Sequence, residues 1–259
     1  MKGLIIKDLM CLRKKRVTFL YIVAVVLIVS VMFVLSAKFG NIAVSNRYMI
    51  AENDLSEIDV KNLSSLALVL FMMLPIAMVG DIGTLFTADG KAGFANVSAV
   101  LPISIEKRVL AKFVTFISFL GIGVGADIVI SLILSLLTDM LSFVDFVAMI
   151  ITGASALFIY CSLFCLYMFI FGYGKESVAG GVSLLTIMLA IIAANFEKLI
   201  VIYISCFDKN AQVIDVNPIN VIMDVIKDKC ISVLIVAVVV GVLSYVLSVF
   251  LAKRKRGIV

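Results

Sequence analysis

The chain has 259 residues, of which 63% are hydrophobic and only 15% are charged, and its mean hydropathy is +1.23. Soluble domains are about 45–50% apolar, so this composition is typical of an integral membrane protein. The net charge of +5 does not indicate nucleic-acid binding, because the basic residues lie at the ends of the apolar runs. The chain contains no histidine, which excludes histidine-dependent hydrolases, zincins and histidine proton relays.

Residues 1–16 predict an amphipathic helix that lies in the membrane interface. Its apolar side chains share one stripe, which consists of Leu4, Ile5, Leu9 and Leu12. The basic residues Lys7, Lys14 and Lys15 fall away from this stripe, where anionic lipid headgroups would meet them.

Six apolar runs are long enough to cross a bilayer, which takes about 20 residues. They cover residues 17–37, 63–80, 109–137, 143–171, 178–194 and 231–252. The predicted fold class is therefore all-α, a polytopic membrane protein with six transmembrane helices in a single domain over residues 1–259. The fifth run is interrupted after Ala194 by Asn195 and Glu197, so residues 195–229 are expected to form an extracellular or re-entrant segment.

The distribution of lysine and arginine predicts the orientation of these spans. With the N-terminus inside, 15 of the 22 Lys and Arg residues lie on the cytoplasmic side and seven on the outside. Cytoplasmic segments carry the excess of positive charge in membrane proteins. We therefore expect a multi-pass protein of the cell membrane with both termini in the cytoplasm.

A few residues inside or next to the spans are candidates for a pathway or for helix packing. Pro75 should kink the second span. Asp81 lies at the inner end of this span, and its position is equally compatible with a structural role and with a role at the base of a segment that transmits motion to the span. Gly121 and Gly125 have the spacing that lets helices approach closely. Asp127 is the one acid well inside a predicted span. It either lines a pathway or ion site, or is a protonated or hydrogen-bonded packing residue, and the packing interpretation is favoured.

The polar segment 81–108 between the second and third spans predicts a short helix, a proline and the start of another helix. Gly90 and Gly93 predict sharp turns. The apolar face of the short helix consists of Phe94, Val97 and Leu101. Pro102 ends this helix, because it moves the preceding residue out of the α region.

The next helix begins directly after this proline. Ser104 is a good N-cap, and Glu106 in the first turn is favoured by the helix dipole. Lys107, Arg108 and Lys112 follow at the depth where the third span enters the lipid. One interpretation is a basic loop that only sets the topology. The favoured interpretation is a coupling helix, a lever that docks into another protein and passes its motion to the spans.

The string SAVLPISIEKRVLAKF over residues 98–113 resembles the signature that follows the second span in type-2 ABC-exporter permeases. The resemblance is greatest to small peptide and bacteriocin-immunity exporters. It implies the transmembrane subunit of an ATP-driven exporter, paired with a second permease copy or paralogue and with ATPase subunits that hold ATP and magnesium. It also implies an amphipathic cytotoxic or antimicrobial peptide as cargo, and lipids, drugs or ions as alternative cargo.

Motifs elsewhere agree with a chain that performs no covalent chemistry. Gly90-Lys91 and Gly174-Lys175 lack the remainder of the Walker pattern, so the ATPase is expected on a separate subunit. No catalytic, metal-binding or cofactor-binding residue is predicted. An ion-coupled secondary transporter that uses Asp127 is the alternative class, but such proteins usually have internal repeats and more charge inside the membrane.

Overall fold

The computed structural model describes residues 2–12, 21, 23–28, 31, 75–77, 79–80, 82–91, 104–137, 143–194 and 218–256. Six helices with defined bounds lie in this part of the chain: α1 (Lys2–Leu12), α2 (Ile82–Lys91), α3 (Ile105–Leu137), α4 (Phe143–Phe171), α5 (Glu176–Ala194) and α6 (Pro218–Arg256). Within these ranges the chain forms helices and turns and no strand, which confirms the all-α fold.

Four of the helices are long and apolar enough to cross a membrane. They span residues 105–133 in α3, 146–171 in α4, 176–193 in α5 and 229–254 in α6. These are the third to sixth predicted spans, and α4 has the predicted bounds. The first and second predicted spans fall largely outside the described residues.

Two helices begin earlier than the hydropathy predicted, and both have a local cause. α3 begins at Ile105, because Ser104 caps it: the Ser104 hydroxyl accepts a hydrogen bond from the Lys107 amide at 3.4 Å. α6 begins at Pro218. Proline is favoured at the first position of a helix, because the backbone N–H that it lacks would make no hydrogen bond within the helix there. Residues 218–229, expected in an extracellular or re-entrant segment, are therefore helical.

The main difference from the sequence prediction is α2, which occupies residues expected to form part of a loop. Its buried residues are Ile82, Leu85, Phe86 and Asp89, which fall on one face at helical spacing. Gly90 belongs to this helix and does not form the predicted turn. A methyl group at Gly90 would come within 3.0 Å of the Tyr173 side chain, so close packing explains the glycine.

The core of the bundle contains aromatic rings from four helices. Phe86 of α2 packs edge-on against Phe164 of α4, with ring centroids 6.1 Å apart. Phe113 of α3 packs in the same way against Tyr245 of α6, at 5.6 Å. Such pairs add to the stabilisation from burial alone. α2 is thus part of the core rather than a surface loop.

α4 and α6 pack tightly against each other at Gly241. A methyl group added there would lie 2.5 Å from the ring of Phe158, and 3.6 Å from the Ser162 hydroxyl. Small residues allow this kind of approach between helices in membranes. Gly121 and Gly125, which were expected to serve this purpose, are exposed, and no atom of the described residues lies within 4 Å of a methyl group added at either position.

Substitution at Gly241 should separate α4 from α6. We expect Gly241→Leu to lower the thermal stability of the purified protein, because overpacking costs about 1–3 kcal/mol. Gly121→Leu is the matched control, since it carries the same change in helix propensity at an open position. Thermal unfolding in detergent measures both, and an equal loss of stability in the two variants would contradict the packing role of Gly241.

Candidate functional site

Four charged side chains from three helices meet at one end of the bundle, and we call them the four-charge cluster. They are Lys7 and Asp8 of α1, Asp89 of α2 and Lys112 of α3. Each lysine contacts both aspartates. The Lys7 amine lies 3.1 Å from Asp8 and 2.5 Å from Asp89, and the Lys112 amine lies 3.0 Å from Asp8 and 2.7 Å from Asp89.

Three members of this cluster are almost completely buried. The side chains of Asp8, Asp89 and Lys112 are 2%, 6% and 9% exposed, whereas Lys7 is 28% exposed and connects the cluster to solvent. The Lys112 amine also donates a hydrogen bond to the Leu85 carbonyl at 3.3 Å, and it lies 5.4 Å from the centre of the Phe86 ring. Buried charges persist only when they are paired and hydrogen-bonded, and this cluster meets both conditions.

The contacts that Lys7 makes in the cluster keep its amine charged. Burial alone would lower the pKa of Lys7, but the hydrogen bond to Asp89 and the charges of Asp8 and Asp89 raise it above its usual 10.5. A lysine whose pKa rises on folding stabilises the folded state fully below pH 10.5. That contribution is lost only as the pH increases through the raised pKa. The stabilisation that charged Lys7 contributes is thus present throughout the physiological range.

Sequence reasoning did not find this cluster. Lys7 was expected to face away from the apolar stripe toward lipid, but it faces α2 instead. Asp89 was expected in a loop, and Lys112 was expected at the edge of the lipid. One feature of the sequence could have indicated it. Asp8 and Asp89 are acidic residues in segments that are otherwise basic and were predicted to lie at the membrane surface.

A second set of contacts joins α2 to the turn between α4 and α5. The Thr87 hydroxyl donates a hydrogen bond to a Glu176 carboxylate oxygen at 3.0 Å, and the same oxygen accepts the Gly174 amide at 3.2 Å. Gly172 and Gly174 have φ angles of +88° and +86°, a conformation that glycine adopts without strain. This turn therefore packs directly against α2.

The first turn of α3 meets the end of α6. The Lys253 amine lies 2.5 Å from the Glu106 carboxylate, and both side chains are about half exposed. Lys107 is exposed beside this pair, and Arg108 is partly buried. Of the residues predicted to couple to an ATPase, these and Ser104 lie together. The others, Phe94, Val97, Leu101 and Pro102, are outside the described residues, as is Asp81.

Asp127, predicted as either a pathway residue or, the favoured interpretation, a packing residue, lies far from this end. It is on the face of α3 that also carries Phe116, Leu120 and Ile130, all buried. Its side chain is 0% exposed, and neither carboxylate oxygen has a hydrogen-bond partner within the described ranges. Pro75 is likewise buried, in a helical segment at residues 75–77.

Comparison with known protein families identifies the chain. The family model described as ABC-2 family transporter protein matches residues 58–253, about three quarters of the sequence. The chain belongs to this ABC-2 transporter family. The match includes α2 to α6, and therefore Asp89 and Lys112, whereas Lys7 and Asp8 of α1 lie before it. No curated protein and no solved structure matches the chain.

Membership of the ABC-2 family explains the composition and the fold. This ABC-2 protein is a multi-pass membrane protein and a permease subunit of an ABC transporter. The family is one of transmembrane permease subunits, and membership implies an ABC ATPase as partner. The end of the bundle with the four-charge cluster is where the resemblance implied contact with that partner.

The burial of Asp127 without a described partner makes a prediction about stability. Asp127→Leu removes the cost of burying a carboxyl group, so its melting temperature should equal or exceed that of the wild type. Asp127→Asn keeps the shape of the side chain but buries an amide that needs hydrogen-bond partners. The asparagine variant should therefore be no more stable than Asp127→Leu. Thermal unfolding of the three proteins in one detergent tests this. A strong loss in Asp127→Leu alone would identify a polar partner for Asp127.

Proposed function

We propose that this ABC-2 permease is the transmembrane subunit of an exporter, and that its ATPase docks at the bundle end that carries the four-charge cluster. The observation that supports this most is the convergence of α2, the start of α3 and the turn at residues 172–175 at this end. Motion applied to α2 would reach α3 through Asp89 and Lys112, and α5 through Thr87 and Glu176.

The charge distribution supports a cytoplasmic location for this end. It carries the exposed basic residues Lys91, Lys107, Lys175, Lys253 and Arg254. An excess of lysine and arginine is typical of the cytoplasmic side. Both termini would then be cytoplasmic, and the ATPase would meet the permease on that side. A second permease copy or paralogue would complete the transporter, with the second and fifth spans near the interface between the two.

The cargo proposed is an amphipathic cytotoxic or antimicrobial peptide. It rests on the resemblance of residues 98–113 to small peptide-exporter permeases. The apolar surface of the spans is compatible with such cargo: Leu184, Leu185, Met188 and Leu189 of α5 are each more than half exposed. Lipid also covers surfaces of this kind, so lipids, drugs and ions are the alternative cargo classes.

Docking of the ATPase is tested by reversing a charge at the proposed surface. Lys107→Glu changes an exposed side chain and leaves the Glu106–Lys253 pair in place. We expect it to weaken ATPase binding at least tenfold, about 1.4 kcal/mol, in a quantitative pull-down from solubilised membranes. Arg108→Glu and Phe94→Asp should act in the same direction.

Lys229→Glu is the matched control for this docking experiment. Lys229 is an exposed lysine in α6, close to the opposite end of its span. Its reversal should leave ATPase binding unchanged. Loss of binding in Lys229→Glu but not in Lys107→Glu would put the ATPase at the other end of the bundle and reverse the proposed orientation.

The cargo is tested with the reconstituted transporter. We expect a cationic amphipathic helical peptide to stimulate ATP hydrolysis several-fold, because its apolar face can enter the bundle from the membrane surface. A scrambled peptide of equal composition, whose residues no longer form an amphipathic face, is the control. Equal stimulation by both peptides, or stimulation by phospholipid alone, would contradict a peptide cargo.

A further inference from the structure

The four-charge cluster has more contacts than two separate ion pairs would need. If α1 carried one pair and α2 with α3 carried another, Lys7 would contact only Asp8, and Lys112 only Asp89. All four possible lysine–aspartate contacts are present instead, at 2.5–3.1 Å. Two of them, from Lys7 to Asp89 and from Lys112 to Asp8, connect α1 to the other two helices.

We propose that the four-charge cluster joins α1, α2 and the first turns of α3 into one unit that moves together, with Lys112 as the residue that positions both short helices. On this proposal α1 is a fixed part of the bundle and is not an independent helix resting on lipid. The proposal does not rest on the proposed function, because it concerns contacts within this chain alone.

Charge balance explains why Lys112 has the central position. Among the described residues, the cluster contains two positive and two negative charges, which balance. Lys112 is the only described member from a long apolar helix, and its side chain is 9% exposed. Without it, Asp8 and Asp89 would share the single amine of Lys7, and one buried carboxylate would lack its counter-charge. A buried charge that loses its partner destabilises the arrangement around it.

The apolar side chains of α1 that the structure describes are less buried than Asp8. Leu4 and Ile5 are only partly buried, and Ile6 and Met10 are 50% and 64% exposed on other faces of the helix. Asp8 has the most deeply buried side chain of α1 among those described, at 2% exposure. An 11-residue helix is also too short to be stable alone in water, so its helicity depends on what it packs against.

Hydrogen–deuterium exchange on the purified chain in nanodiscs tests this proposal. We expect Lys112→Met to accelerate amide exchange at least tenfold in both α1 and α2. Lys107→Met is the matched control, because it removes an exposed lysine from the same helix. It should leave exchange in α1 and α2 unchanged.

Restoring the charge balance of the cluster should slow amide exchange in α1 and α2 again. The double variant Lys112→Met with Asp8→Asn leaves Lys7 opposite Asp89, which are in contact in the native protein. It should exchange more slowly than Lys112→Met alone. If Lys112 acted through packing alone, adding Asp8→Asn would not slow the exchange.

Charge exchange distinguishes one cluster from two independent pairs. Asp89→Lys combined with Lys112→Asp keeps the pair between α2 and α3, but it brings like charges together at positions 7 and 89 and at positions 8 and 112. One cluster predicts fast exchange in α1 for this double variant. It also predicts recovery when Lys7→Asp and Asp8→Lys are added, which inverts all four charges.

Two results would overturn the proposal. One is unchanged exchange in α1 in Lys112→Met, and the other is native exchange in α1 in the double charge swap. If Lys112→Met cannot be purified in folded form, Lys7→Met takes its place, since Lys7 is the least buried member. Fast exchange in α1 with Lys7→Met then supports the cluster, and native exchange in α1 contradicts it.

Discussion

The arrangement of this protein depends on one constraint: a lysine eight residues into a membrane-crossing helix needs negative partners. Lys112 cannot be left alone in an apolar environment, since an unpaired buried charge is costly. α3 provides no acid beside it. The partners come from two separate short helices, Asp8 of α1 and Asp89 of α2. The need to neutralise one side chain therefore determines where two other elements of the chain lie.

The same constraint gives the described end of the bundle its connectivity. α2 contacts α1 and α3 through charges, α4 through the Phe86–Phe164 rings, and α5 through Thr87 and Glu176. A ten-residue helix that touches four others is well placed to distribute a displacement among them. The opposite end of the four spans shows no comparable set of polar contacts among the residues described.

Much of this architecture could be predicted from the sequence, for a clear physical reason. The bounds of α4 follow from a long apolar run between two short turns, and crossing a bilayer requires such runs. α2 could not be found in this way, because its core-facing row includes Asp89, which hides the apolar periodicity, and because Gly90 is typical of turns. The cluster was missed because its members are 82 and 104 residues apart, and local patterns carry no information about such pairings.

The first turns of α3 also have consequences for how the chain is assembled. Lys112 finds a partner in Asp8, near the beginning of the chain, and Glu106 finds one in Lys253, near its end. The second pairing spans 147 residues, so it cannot form until Lys253 has been synthesised. Contacts of long sequence separation are slow to form, because the intervening chain must be ordered first. The entrance of α3 into the membrane is therefore made before α4, α5 and α6, but its contacts are completed only after α6 is in place.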